Sequence, residues 1–162
     1  MSEIRQTDKL IIQQITDLLT GGNAHVTLED ATENLSLGNV SKKPDNLPYS
    51  IWQLVEHIRI TQWDIVEFSR DPDYQSPEWP AGYWPKEEAP ADEKEWENTL
   101  EQIKKDRQEF VELLNAPGVD LYTPFPHGSG QNLLREALLI ADHTSYHLGQ
   151  IILVRRLLND WR

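Results

Sequence analysis

Apolar residues along this chain recur at helical spacing and nowhere alternate over the length of a strand. Ile4, Ile11, Ile15 and Leu18 set a first helix over 3–19, with Gly21-Gly22 as its stop. Thr27, with Asp30 three positions on, opens a short helix over 27–34 as a capping-box pair. The stretch from there to Pro48, rich in Asn, Lys, Gly and Pro, reads as loop. Ser50 and Gln53 make a second capping box. Behind it Trp52, Val55, Ile58, Ile65 and Phe68 form an apolar stripe that ends at Asp71-Pro72, because a residue before proline disfavours helix. A third long helix starts at Asp92, with Glu95 as its capping partner. It carries Trp96, Leu100, Ile103, Phe110, Val111 and Leu114 and stops at Pro117-Gly118. A fourth runs from Asn132 to Leu158, roughly 40 Å at 1.5 Å per residue. Four amphipathic helices predict an all-α fold, a four-helix bundle in one domain over 1–162. The long loops leave the order of the helices open.

The connection 71–91 holds Pro72, Pro77, Pro80, Pro85 and Pro90, which excludes a helix there. It also holds Tyr74, Trp79, Tyr83 and Trp84. Aromatic surface of that size is costly in water, so the segment is expected to cover something: a pocket, the bundle end or a dimer contact.

Composition narrows the function classes. The chain has 162 residues, the size of one ordinary domain, and no cysteine. Disulfides, thiolate metal sites and a cysteine nucleophile are therefore excluded, and a reducing compartment fits. Fifteen Lys and Arg against 27 Asp and Glu give a net charge of −12. That field repels phosphates, so neither nucleic acid nor an anionic membrane is the expected partner. No apolar run approaches the ~20 residues of a bilayer span, and the N-terminus lacks a signal-peptide layout. The expected location is cytoplasmic. There is no GxSxG, phosphate-binding or dinucleotide-binding glycine motif, and no HExxH.

Histidine carries the chemistry that remains. His143 and His147 are four apart in the fourth helix, which puts both imidazoles on one face, one turn apart. Two rings so placed can share one metal ion; they can equally be a hydrogen-bonded core pair. His57, on the second helix beside Leu54 and Ile58, is a third ligand candidate, since bundles build metal sites from facing helices. Three histidines leave coordination positions open, the mark of a catalytic site. Gln150 (three from His147), Glu136 (seven from His143) and Asp64 (seven from His57) are candidates to accept a ring N–H from a ligand. His127, in FPHGSG, is a candidate base or extra ligand. Tyr146 is placed to orient a substrate, and Trp84 to line a lid with Trp79 and Tyr83. Each of these also has an ordinary packing or surface role open to it.

Two segments, LPYSIWQLVEHIRITQWDIVEF (47–68) and LLREALLIADHTSYHLGQIILVRRLL (133–158), resemble the DinB-like (DinB/YfiT) superfamily of metalloenzymes. The most specific parts are His57 and the run Asp142–Ile151. The resemblance implies an up-down-down-up four-helix bundle, often a homodimer. It also implies one divalent ion, nickel, zinc or similar, on His57, His143 and His147. Relatives include S-transferases that use low-molecular-weight thiols, thiol-dependent isomerases and metal-dependent hydrolases, and many members have no assigned reaction. The expected function is thus a divalent-metal enzyme acting on a small molecule through activated water or a low-molecular-weight thiol, with hydrolase as the more generic expectation. The alternative is a non-catalytic metal-binding bundle that is structural or binds a partner.

Overall fold

The computed structural model describes residues 6–21 and 24–161, and within them every regular element is helical. The helices are α1 (Gln6–Gly21), α2 (Leu28–Thr32), α3 (Leu37–Val40), α4 (Ile51–Arg70), α5 (Glu93–Leu114) and α6 (Leu133–Leu157), with one 3-10 turn at Ala81–Tyr83. None of these helices is long and apolar enough to cross a membrane. Ile4 and Gly22 lie outside the described residues.

Helix starts follow their caps. Thr27 and Ser50 each close a full capping box, with Asp30 and Gln53 respectively. These side chains take up backbone N–H groups that a helix start leaves without partners. At α5 the box is displaced: Asp92 accepts from the Glu95 N–H, but the Glu95 carboxylate reaches past it to the Ala91 N–H. α3 was not expected. It is a single turn, capped by Ser36, too short to show a period. On α1 the buried face is Ile12, Ile15 and Leu19; Leu18, expected inside, is exposed. The stripe is therefore rotated from the one the spacing suggested.

α4 packs against both α5 and α6, while α1 packs against α6 and α5. Side-chain pairs give the directions. Glu56 meets Thr99, Gln62 meets the Ile103 carbonyl and Arg70 meets Glu109, so α4 and α5 run the same way. His57, early in α4, meets His143, whereas the segment leading into α6 touches Phe68 near the far end of α4 through His127. α6 therefore runs against α4. The core has two apolar halves. One gathers Ile51, Trp52, Val55, Ile58, Trp96, Leu148 and Ile151. The other gathers Ile15, Ile65, Phe110, Leu114, Leu133 and Ile140. On α4 the break falls between Ile58 and Ile65, and on α6 between Ile140 and Leu148. His143 and His147 occupy that break on α6, and His57 borders it on α4.

Candidate metal centre

His57, His143 and His147 come together from α4 and α6, with their potential ligand atoms all within 4.8 Å of one another. No other group of three or more His, Cys, Asp or Glu among the described residues has this proximity. His57 and His147 are buried and His143 is half-buried. Burial pushes all three imidazoles below their ordinary pKa. His143 goes down to about 3, with neighbouring His147 and His57 adding to the effect. Neutral rings present lone pairs, the form a metal requires.

The hydrogen bonds fix which nitrogen carries that lone pair. The Nδ1 of His57 lies 2.6 Å from the Tyr83 carbonyl oxygen, which can only accept. His57 is therefore protonated at Nδ1, with Nε2 free to ligate. His147 donates from Nδ1 to the Gln150 Oε1 at 2.7 Å. Its Nε2 is left free in the same way. The Nε2 atoms of His57 and His143 lie 3.0 Å apart. That distance also suits a hydrogen bond from His143 to His57. A hydrogen-bonded pair, however, gives no role to a third imidazole whose tautomer is separately fixed. Nitrogens sharing one ion at 2.0–2.1 Å with tetrahedral angles stand ~3.4 Å apart, so roughly 1.5 Å of closure at the widest pair brings the three onto one cation. An all-imidazole set suits zinc, nickel and similar borderline ions.

The surroundings differ from several sequence expectations. Asp64, a candidate acceptor for the His57 ring, instead takes the Tyr83 hydroxyl at 2.7 Å. Burial and this carboxylate push the Tyr83 phenol up to about 12. Glu136 is buried two helical turns from His143 and pairs with Arg135 at 2.7 Å, not with a ligand ring. His127 is held by the Phe68 carbonyl and stacked on Phe125. Eleven residues past His57, that position is some 16 Å along α4, out of reach of the triad. Of the aromatic segment, Trp79 is 71% exposed, with its ring tilted against that of Tyr83 at 5.3 Å between centroids. Trp84 lies flat on His57, with centroids 3.8 Å and planes 6° apart, and Tyr49 stacks on its other side. Tyr146 is exposed, with its ring edge-on to His147. Arg155 is buried, bonded to the Ala31 and Glu33 carbonyls, and closes the end of α2.

The sequence reading missed Tyr83 as the acceptor for His57, and Tyr49. The former acts through a backbone carbonyl, which no residue type advertises. Tyr49 precedes the Ser50 cap, and only its closeness to α4 hints at it.

A family model described as DinB superfamily matches residues 23–151, a stretch that includes all three histidines and Gln150. The chain belongs to the DinB superfamily. No curated protein and no solved structure matches it. DinB membership and the histidine geometry agree on one point: this position in the bundle is compatible with holding a metal ion.

Proposed function

We propose that this DinB-superfamily chain is a divalent-metal-dependent enzyme acting on a small molecule, with His57, His143 and His147 as the protein ligands. The observation that carries the reading is the convergence of three neutral imidazoles within 4.8 Å, two of them fixed with Nε2 free and no carboxylate completing the set. A cation held there supplies Lewis acidity that lowers the pKa of a water or a low-molecular-weight thiol toward neutrality. The chain's residues hold and orient the rings, and Trp84 shields one face of His57 from water. His143 is the least buried ligand, and exposed Tyr146 borders His147, so a small molecule approaches from their side. Arg59 is committed to Glu56, Arg135 to Glu136 and Arg155 to backbone carbonyls. Those ion pairs and caps leave them poorly placed to receive an anionic thiol cofactor, which favours water and a hydrolase over an S-transferase.

The test is metal analysis of protein purified without a histidine tag, for wild type, His143→Ala and His147→Ala. A panel of ester, amide and phosphoester substrates is then run beside thiol-plus-electrophile pairs. One ion per chain in wild type, lost in both variants, with turnover in the hydrolytic panel, is the expected result. Metal content unchanged in both variants contradicts the ligand set. A loaded protein inert in every panel supports the non-catalytic bundle.

A further inference from the structure

The proline-rich segment 71–91 was expected to cover a pocket, the bundle end or a dimer contact, and its contacts run down onto α4. Tyr83 lies along two turns of that helix. Its carbonyl accepts from His57 Nδ1 at 2.6 Å and its hydroxyl donates to Asp64 Oδ2 at 2.7 Å. His57 and Asp64 are seven residues apart, so they share a face and lie roughly 10 Å from each other along the axis. A tyrosine spans that interval with its main chain at one end and its phenol at the other. Both ends are buried, as is the Tyr83 ring.

The segment has little regular structure of its own to hold that carbonyl in place. Its one 3-10 turn is closed by Gly82 N–H to the Glu78 carbonyl at 2.7 Å and Tyr83 N–H to the Pro80 carbonyl at 3.1 Å. Gly82 folds so closely over Pro77 that an added Cβ would stand 2.6 Å from the proline Cβ. Besides the His57–Tyr83 bond, attachments to the bundle include the Asp64–Tyr83 bond, the Tyr49–Trp84–His57 stack, the Tyr74 ring edge-on to Trp63 of α4, and the bond from Ser50 Oγ to the Glu88 carbonyl at 2.7 Å. Of these, the Asp64 bond anchors the residue whose carbonyl selects the His57 tautomer.

We propose that Asp64 and Tyr83 form a positioning device for His57: the carboxylate pins the Tyr83 ring, and Tyr83 in turn holds the imidazole as the Nδ1–H tautomer with Nε2 turned toward His143 and His147. This rests on the metal-site reading and extends it to two residues that touch no metal. Partners that orient a ligating histidine typically change metal affinity by tenfold to a hundredfold when removed. Tyr83→Phe deletes the hydroxyl while keeping the ring and the carbonyl; Asp64→Asn keeps the side-chain shape and weakens the acceptor.

The experiment measures zinc affinity by competition with a chromophoric chelator in wild type, Tyr83→Phe, Asp64→Asn, His57→Ala and the His57→Ala/Tyr83→Phe pair. Long-range proton–nitrogen correlation spectra of the metal-free proteins report the imidazole tautomers. Affinity is expected to fall tenfold or more in Tyr83→Phe and to a lesser extent in Asp64→Asn. In the His57→Ala background, the Tyr83→Phe change is expected to make less than a twofold difference. His57 is expected wholly as Nδ1–H in wild type and mixed in Tyr83→Phe. Unchanged affinity in Tyr83→Phe overturns the proposal, as does an equal loss with and without His57, which marks a general structural role. If wild type itself takes up no zinc, the metal reading fails, and the tautomer comparison alone decides whether Tyr83 positions His57. Identical tautomers in wild type and Tyr83→Phe overturn it in that case too.

Discussion

An imidazole that is already neutral has no proton for a cation to displace. Three ordinary histidines at pH 6.5 would be half-protonated and would release about 1.5 protons on binding one ion. Burial lowers the pKa of His57, His143 and His147, so calorimetry at pH 6.5 in two buffers of different ionisation enthalpy is expected to show clearly fewer protons released than three ordinary histidines would give. A buffer-dependent heat equivalent to more than one proton contradicts the neutral triad. The same shifts set the acid behaviour of metal-free protein. With folded pKa values below the unfolded 6.5, the folded state binds fewer protons, so this contribution is complete above pH 6.5 and drains away as pH falls toward about 3, the His143 value. Urea midpoints are expected to decline over that window, and His143→Gln to flatten the decline. Gln150→Leu removes the acceptor for His147 Nδ1 and is expected to weaken zinc binding about tenfold with little change in melting temperature. Equal affinity in Gln150→Leu contradicts its orienting role. His143, His147 and Gln150 were legible because helical spacing alone places them on one side of a helix. Asp64 could be placed on the face of His57, but its true partner comes from a distant loop and is invisible to spacing.

Among the elements, α4 carries the most, since it meets both α5 and α6 and presents His57. Its start depends on Ser50, whose Oγ accepts from the Gln53 N–H at 3.2 Å and donates to the Glu88 carbonyl at 2.7 Å. Ser50→Ala removes a cap and a tether in a fully buried position, and is expected to cost about 1–2 kcal/mol. At roughly 2–4 °C per kcal/mol, a drop of several degrees in Tm checks it, and a change under one degree contradicts the capping role. Long helices were readable because period and caps agree over many residues. The one-turn α3 and the rotated face of α1 were not, since a single turn has no period and the α1 sequence offers apolar residues on adjacent rows. The aromatic segment was recognised as covering something, but composition could not say which ring does what: Trp84 faces inward onto His57 while Trp79 is largely exposed.

Across the molecule, the triad links α4 to α6 at the break between the apolar halves, so a bound ion crosslinks the bundle near its middle. A ligand that binds only the folded state adds RT ln(1 + [L]/Kd), about 4 kcal/mol at a thousandfold excess over Kd. Zinc is therefore expected to raise the Tm by roughly 8–16 °C, and a chelator to reverse the rise. No shift at saturating zinc contradicts binding to the native bundle. The ligand set itself is tested most directly by X-ray absorption at the zinc edge of the loaded, untagged protein. Three imidazole nitrogens at 2.0–2.1 Å with one further light atom are required, falling to two in His57→Ala. A spectrum without imidazole scattering, or one unchanged by His57→Ala, would show that the ion sits elsewhere.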